Sequence, residues 1–213
     1  GQRALAPIHG QAMIRYVLRA LRAAETVDRV LLLAPPGIPA QPEADELVPT
    51  NSDLPGNIQA GLRRCAGAEY VLMVTADIPF ITGPMVDDYV RACLALDVDC
   101  CYAAIPEEAC LKRFPEMRRT YLRTRSGAYT GGNIVVQRVS AFDKEAAMLR
   151  EAYARRKNPA FLARLIGWRN VFKLLTRSLE LEDISAAASR LMGVRCRLVV
   201  TPWAELGSDV DKP

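Results

Sequence analysis

Histidine is almost missing from this sequence: His9 is the single one among 213 residues. A Ser-His-Asp or Cys-His nucleophilic site would have to be built on it. It lies in Pro7-Ile8-His9-Gly10-Gln11, which reads as a tight turn before a helix, where a solvated histidine is the plainer role. No pair among Cys65, Cys93, Cys100, Cys101, Cys110 and Cys196 forms a C-x-x-C spacing, and one histidine is too few for a Cys/His zinc cluster. Their neighbours are apolar, so free thiols packed in a reducing compartment are expected. No apolar run approaches the ~20 residues of a membrane span, and no signal peptide is present, which places the expected protein in the cytoplasm. Linkers, internal repeats and low-complexity tracts are also missing, so residues 1–213 are expected to form one domain. A dense basic stripe is lacking too. The net charge of +4 and pI near 8.8 suit small anionic substrates better than nucleic acid.

Apolar residues make up half of the chain, enough for a sizeable core without disulfides or structural metal. Their period switches repeatedly. Met13, Val17, Leu18 and Leu21 form a helical stripe before the run Val30-Leu31-Leu32-Leu33. Ile58, Leu62 and Cys65 form another before Tyr70-Val71-Leu72-Met73-Val74, and a helix after Thr82-Gly83-Pro84 leads to the run Cys100 to Ile105. Short continuous apolar strands alternating with helices predict an α/β, doubly wound, mostly parallel sheet. Beyond it, Tyr121 to Arg125 reads as extended, and Gly131-Gly132-Asn133 precedes a strand at Ile134-Val135-Val136. A helical, basic subregion spans 142–192, broken near Asn158-Pro159 and Gly167, before a last strand from Val194 to Val200. Between Ala152 and Leu179 no acidic residue occurs, whereas Arg155, Arg156, Lys157, Arg164, Arg169, Lys173 and Arg177 do. Such a segment is either a solvated face over a core-facing stripe or a wall that attracts an anionic acceptor.

Chemistry concentrates in three places. In Val74-Thr75-Ala76-Asp77-Ile78-Pro79-Phe80 the carboxylate of Asp77 falls just beyond the carboxyl end of an apolar strand, the edge at which open α/β sheets bind ligands. A carboxylate beside apolar sequence is costly unless paired or bound to a cation; a capping aspartate is the alternative. Asp209-Val210-Asp211 supplies two more carboxylates near the C-terminus. Mg²⁺ needs only one or two, with phosphate oxygens and water completing its shell. Gly131-Gly132-Asn133 would bring backbone amides close to a ligand, or would serve as a hairpin turn.

Together these motifs resemble the MobA-like branch of the nucleotidyltransferase superfamily, which includes molybdenum-cofactor guanylyltransferases and cytidylyltransferases. Arg3-Ala4-Leu5-Ala6-Pro7-Ile8-His9-Gly10-Gln11-Ala12-Met13-Ile14 occupies the place of the family's stretch after its glycine-rich loop, with Arg3 where a lysine meets phosphate. Thr75 to Phe80 matches the metal-binding strand end, Gly131-Gly132-Asn133 a substrate-side loop, and Asp209 to Pro213 the segment of the second metal aspartate. The resemblance implies a Rossmann-like fold with a helical insertion before the last strand. It also implies an opening strand and glycine-rich phosphate loop preceding Gly1, and a closing helix following Pro213. The implied reaction is transfer of an NMP from an NTP to a small, phosphorylated acceptor with release of pyrophosphate. Asp77, Asp209 and Asp211 would hold Mg²⁺ (or Mn²⁺), with Asp77, Asp211 and Arg3 catalytic. Ser52, Asn57, Gly131, Gly132 and Asn133 would bind substrate, and the NTP would be GTP or CTP. A metal-dependent glycosyltransferase using a nucleotide sugar, or a catalytically silent nucleotide-binding protein, are the other readings.

Overall fold

A computed structural model describes residues 3–50, 53–142 and 167–210. Its first strands, β1 (Pro7–Ile8) and β2 (Gln11–Ala12), pair antiparallel with Ile8 opposite Gln11. His9 and Gly10 therefore make the whole turn, both at positive φ (47° and 78°), as a two-residue hairpin requires. Helix α1 (Met13–Ala23) follows at once and buries Met13, Ile14, Val17, Leu18 and Ala20, the one-sided stripe of a surface helix. Strand β3 (Leu31–Ala34) runs parallel to β4 (Glu46–Pro49). With α1 they enclose a small core of Ile14, Leu18, Val30, Leu32 and Ala34.

Asp53 opens helix α2 (Leu54–Leu62) by accepting the Gly56 amide at 3.0 Å, which satisfies one of the donors a helix start leaves open. The expected stripe on this helix is only half-buried at Ile58 and Leu62, because Pro55 and Gly61 make the close approach instead. Next come β5 (Tyr70–Val74), α3 (Gly83–Leu94), β6 (Cys100–Pro106), α4 (Glu107–Arg113), β7 (Leu122–Thr124) and β8 (Gly127–Arg138). Helix α5 (Trp168–Leu175), helix α6 (Leu181–Met192) and β9 (Cys196–Val200) close the described chain. Gly167, at φ 87°, marks the expected break before α5. The break expected at Asn158-Pro159 lies outside the described residues.

The main sheet has the order β5-β8-β6-β9, with β7 hairpinned onto β8. Strand β8 is antiparallel to both β5 and β6, and β6 is parallel to β9. Strands β5, β6 and β9 thus point the same way, and their carboxyl ends share one edge. Beneath them lies the main core, in which Ile78, Val86, Ala103, Ile105, Ile134 and Leu206 are wholly buried; each large one contributes roughly 1.5–3 kcal/mol. Tyr89 is buried among them and donates its hydroxyl to the Cys101 carbonyl at 3.1 Å. Burial pushes that phenol far above its ordinary range.

Gly131, Gly132 and Asn133 are part of a strand, which corrects the expected loop. Tyr102 faces Val135 and Ala104 faces Gly131 across the ladder, so β8 sets Gly132, Asn133 and Ile134 against Ala103 alone. This bulge bends the strand and re-aims its side chains. The glycines serve packing. A Cβ on Gly132 would stand 2.7 Å from the Ala103 Cβ and 3.3 Å from the Leu206 carbonyl, whereas one on Gly131 would meet only the tip of Tyr102, at 2.8 Å. The contrast predicts that Gly132→Ala lowers stability by about 1–3 kcal/mol through overpacking, while Gly131→Ala costs less because Tyr102 swings aside. Urea midpoints of the two variants check this.

Asp87, buried on α3, receives the amides of Glu25 (3.0 Å) and Thr26 (2.8 Å) and the Thr26 hydroxyl (2.7 Å), and so ties α3 to the end of α1. Burial alone would raise this carboxyl, but the bonds from Thr26 and Glu25 and the charge of Arg91 hold it below the usual 3.8. A carboxylate held low in the folded state stabilises above its unfolded value, and that stability is lost as pH falls through the folded one. Asp87→Ala should cost about 3 kcal/mol at neutral pH by stranding two amides. The gap from wild type should close below about pH 4 in denaturant melts.

Candidate active site

At the shared carboxyl edge β5 ends in Val74, and the chain turns through Thr75, Ala76 and Asp77. The Thr75 amide bonds to the carbonyl of Asn133 in the bulge, 3.1 Å away. The Thr75 hydroxyl donates to Asp77 Oδ1 at 2.5 Å. Ile78 (0% exposed) and Ile81 (5%) anchor the far side of the turn in the core, and Pro79 is buried between them. The apolar run thus fixes the backbone while Asp77 stays half-buried at the rim.

The C-terminal segment arrives from β9. Thr201 donates its amide to the Ala104 carbonyl at 3.0 Å, and a short 3-10 turn, Ala204–Gly207, is buried throughout. That turn is held by the Ser208 hydroxyl on the Ala204 carbonyl (2.6 Å) and by Arg113 on buried Glu205 (2.6 Å). The Val210 amide then bonds to the carbonyl of Asp77 itself, at 2.9 Å. Two aspartate motifs far apart in the sequence therefore meet backbone to backbone. Asp209, about a third exposed, lies 3.4 Å from Arg119.

The remaining expected site residues divide. Asp211 and Ser52 lie outside the described residues. The backbone of Arg3 belongs to a 3-10 turn, Arg3–Leu5, packed on α1. Asn57 accepts the Thr50 hydroxyl on its Oδ1 at 2.7 Å, next to the Thr50 amide that bonds Ala34 at the end of β3. Asn133 is brought to the Asp77 turn, and its Nδ2 is buried with no partner among the described residues. Gly131 stays exposed on the same strand, while Gly132 is buried against Ala103 and Leu206. Among the described residues no three His, Cys, Asp or Glu side chains form a metal cluster. Carboxylates of the kind and number that Mg²⁺ takes beside phosphate oxygens are present in the sequence of this edge, in Asp77 and in Asp209, the neighbour of the Val210 that bonds to the Asp77 carbonyl.

Within the basic subregion, Lys173 is committed to Asp183 at 2.6 Å, which makes it a brace between α5 and α6. Arg169 and Arg177 are exposed; Arg155, Arg156, Lys157 and Arg164 lie outside the described residues. All six cysteines are free thiols, three of them buried. No helix among the described residues is long and apolar enough to cross a membrane. Arg119 and Glu205 escaped the sequence reading, because a lone arginine and a lone glutamate between elements carry no spacing signal.

A solved structure similar in both sequence and fold is a hypothetical transferase from Thermus thermophilus, 37% identical with a TM-score of 0.88, covering 99% of this chain and 88% of that one. More distantly, the fold is shared by the 2-C-methyl-D-erythritol 4-phosphate cytidylyltransferase of the same organism, at 16% identity and a TM-score of 0.58 over 100% of this chain and 89% of the other. It is shared too by a CMP:2-keto-3-deoxy-manno-octonic acid synthetase complexed with CTP, at 12% identity and 0.54 over 99% and 87%. No curated protein sequence matches the chain. The profile of the MobA-like NTP transferase domain matches residues 1–171, and with it the chain belongs to that family of nucleotidyltransferases.

Proposed function

We propose that this nucleotidyltransferase is Mg²⁺-dependent (Mn²⁺ serving as a substitute), moving an NMP from an NTP to a small anionic acceptor and releasing pyrophosphate. The observation that carries this reading is the Val210-to-Asp77 backbone bond at the carboxyl edge of the sheet. It brings the backbone that follows Asp209 onto the Asp77 turn, and a cation bound to phosphates takes only one or two carboxylates; in this reading Asp77, Asp209 and Asp211 supply them. When bound, the metal would supply charge that neutralises and orients the phosphates.

In this reading the acceptor oxygen attacks the α-phosphorus in line. The bond from that phosphorus to the α,β-bridging oxygen breaks, and pyrophosphate leaves with the electron pair. Every participant is an anion, so the chain's contribution is positioning and charge stabilisation more than proton transfer. Asp77, Asp209 and Asp211 would hold the metal, and Arg3 would steady the triphosphate. Ser52 and Asn57 would contact the nucleotide base, Asn57 from its place in α2 beside Thr50; the similar fold of a synthetase complexed with CTP supports CTP, alongside GTP, as the NTP. Asn133 serves the reacting centre from the bulge, offering its unpartnered amide, while Gly131 keeps the adjacent surface low.

Pyrophosphate release by the full-length protein with each NTP, Mg²⁺ and a panel of phosphorylated acceptors is the direct test. Asp77→Asn should cut turnover by about 10²–10³-fold with an unchanged melting temperature, since among the described residues the Asp77 side chain bonds locally, to Thr75. An undiminished rate removes the metal role from Asp77. Release of a nucleoside diphosphate from a nucleotide sugar, with none of pyrophosphate from any NTP, would replace the reading with glycosyl transfer.

A further inference from the structure

Arg119 lies between α4 and β7 with only 13% of its side chain exposed. A guanidinium carries five donors and cannot shed its charge. Among the described residues its polar contact is the 3.4 Å approach of Nη2 to Asp209 Oδ1, long for a charge-assisted bond. Nη1 is buried without a partner among those residues. That nitrogen points at Gly207, where a Cβ would stand 3.2 Å from it, so the glycine leaves room for the cation. The Tyr121 hydroxyl is likewise buried, and its polar neighbour is the Cys110 thiol, a weak hydrogen-bonding partner. Burial raises the phenols of Tyr102 and Tyr121, and the positive charge of Arg119 opposes the rise in both.

A buried cation with one loose counter-charge and an orphaned donor is expensive for the fold alone. Glu205 is no help to it, being held by Arg113. Arg119 sits against Asp209, whose neighbour Val210 bonds to the Asp77 carbonyl. We propose that Arg119 is a binding residue for a phosphate oxyanion of the substrate, held beside the Asp77–Asp209 cluster, with the Tyr121 hydroxyl as a second donor. The position rests on the proposed reaction for its meaning, but the binding is testable without turnover.

Wild type, Arg119→Met and Arg119→Lys are titrated with methyl phosphate alone, and separately with CTP and with GTP in the presence of Mg²⁺, followed by NMR or calorimetry. Loss of a charge-assisted bond predicts about 10- to 100-fold weaker binding in Arg119→Met. Arg119→Lys should lie between, since the charge remains and the fork does not. Weakening confined to methyl phosphate assigns the oxyanion to the acceptor, and weakening confined to the nucleotides assigns it to the triphosphate. Melting temperature separates this from a merely structural role: removing an unmatched buried cation should leave it unchanged or raise it. Unchanged affinities in both variants, or a wild type that binds none of the probes, overturn the proposal. A folded Arg119→Lys keeps the question decidable even where Arg119→Met does not fold. Absence of pyrophosphate release with intact methyl phosphate binding would count against the transferase mechanism only.

Discussion

Strand β8 is the constraint on which the rest of the structure depends. It runs against the direction of β5 and β6 and pairs with both, so it is the seam through which the strand bearing the Asp77 turn joins the rest of the main sheet. Its bulge is positional as much as structural. By setting Gly132, Asn133 and Ile134 against a single residue of β6, it delivers the Asn133 carbonyl to the Thr75 amide and keeps Ile134 wholly buried. The two glycines make this geometry possible because the bulge brings the backbone against Ala103, Tyr102 and the Ala204–Gly207 turn, where side chains would collide.

The cleft edge is built by opposites. Apolar residues that are fully buried alternate closely with polar groups held at the rim: Ile78 beside Asp77, and Leu206 and Gly207 shortly before Asp209. Burial of the first kind costs nothing electrostatically and fixes the backbone that carries the carboxylates. Among the described residues, buried donors without a partner gather nearby, on Asn133 and Arg119. Unmet buried donors cost free energy in the folded chain, so each calls for a partner that the described residues do not supply. Elsewhere in the described chain, Asp87, Glu43, Asp99 and Asp183 all have partners that hold them below the usual carboxylate range.

The alternation of apolar runs with helical stripes was sufficient to predict the α/β class, the order of most elements, the His9-Gly10 turn and the free thiols. Local chemistry dictates these: a continuous apolar run must be covered on both faces, and a two-residue hairpin needs positive φ. The position of Asp77 beyond a strand end was legible for the same reason. The family resemblance added the expectation that Asp77 and the C-terminal aspartates act together; among the described residues the two segments meet through the Val210–Asp77 backbone bond.

Direction and depth were not legible. Nothing in Gly127 to Arg138 announces that this strand runs antiparallel, or that its glycines lie inside it, because both facts follow from which strands flank it. Arg119 and Glu205 illustrate the same limit: a lone charged residue between elements looks like any solvated one until the fold buries it. The sequence alone determined most of the strands, helices and turns and where the carboxylates fall along the chain, since those depend on neighbours a few residues apart. The tertiary structure alone decided which of them face one another, because pairing register, the bulge and the burial of a cation are settled by contacts between segments that the sequence leaves far apart.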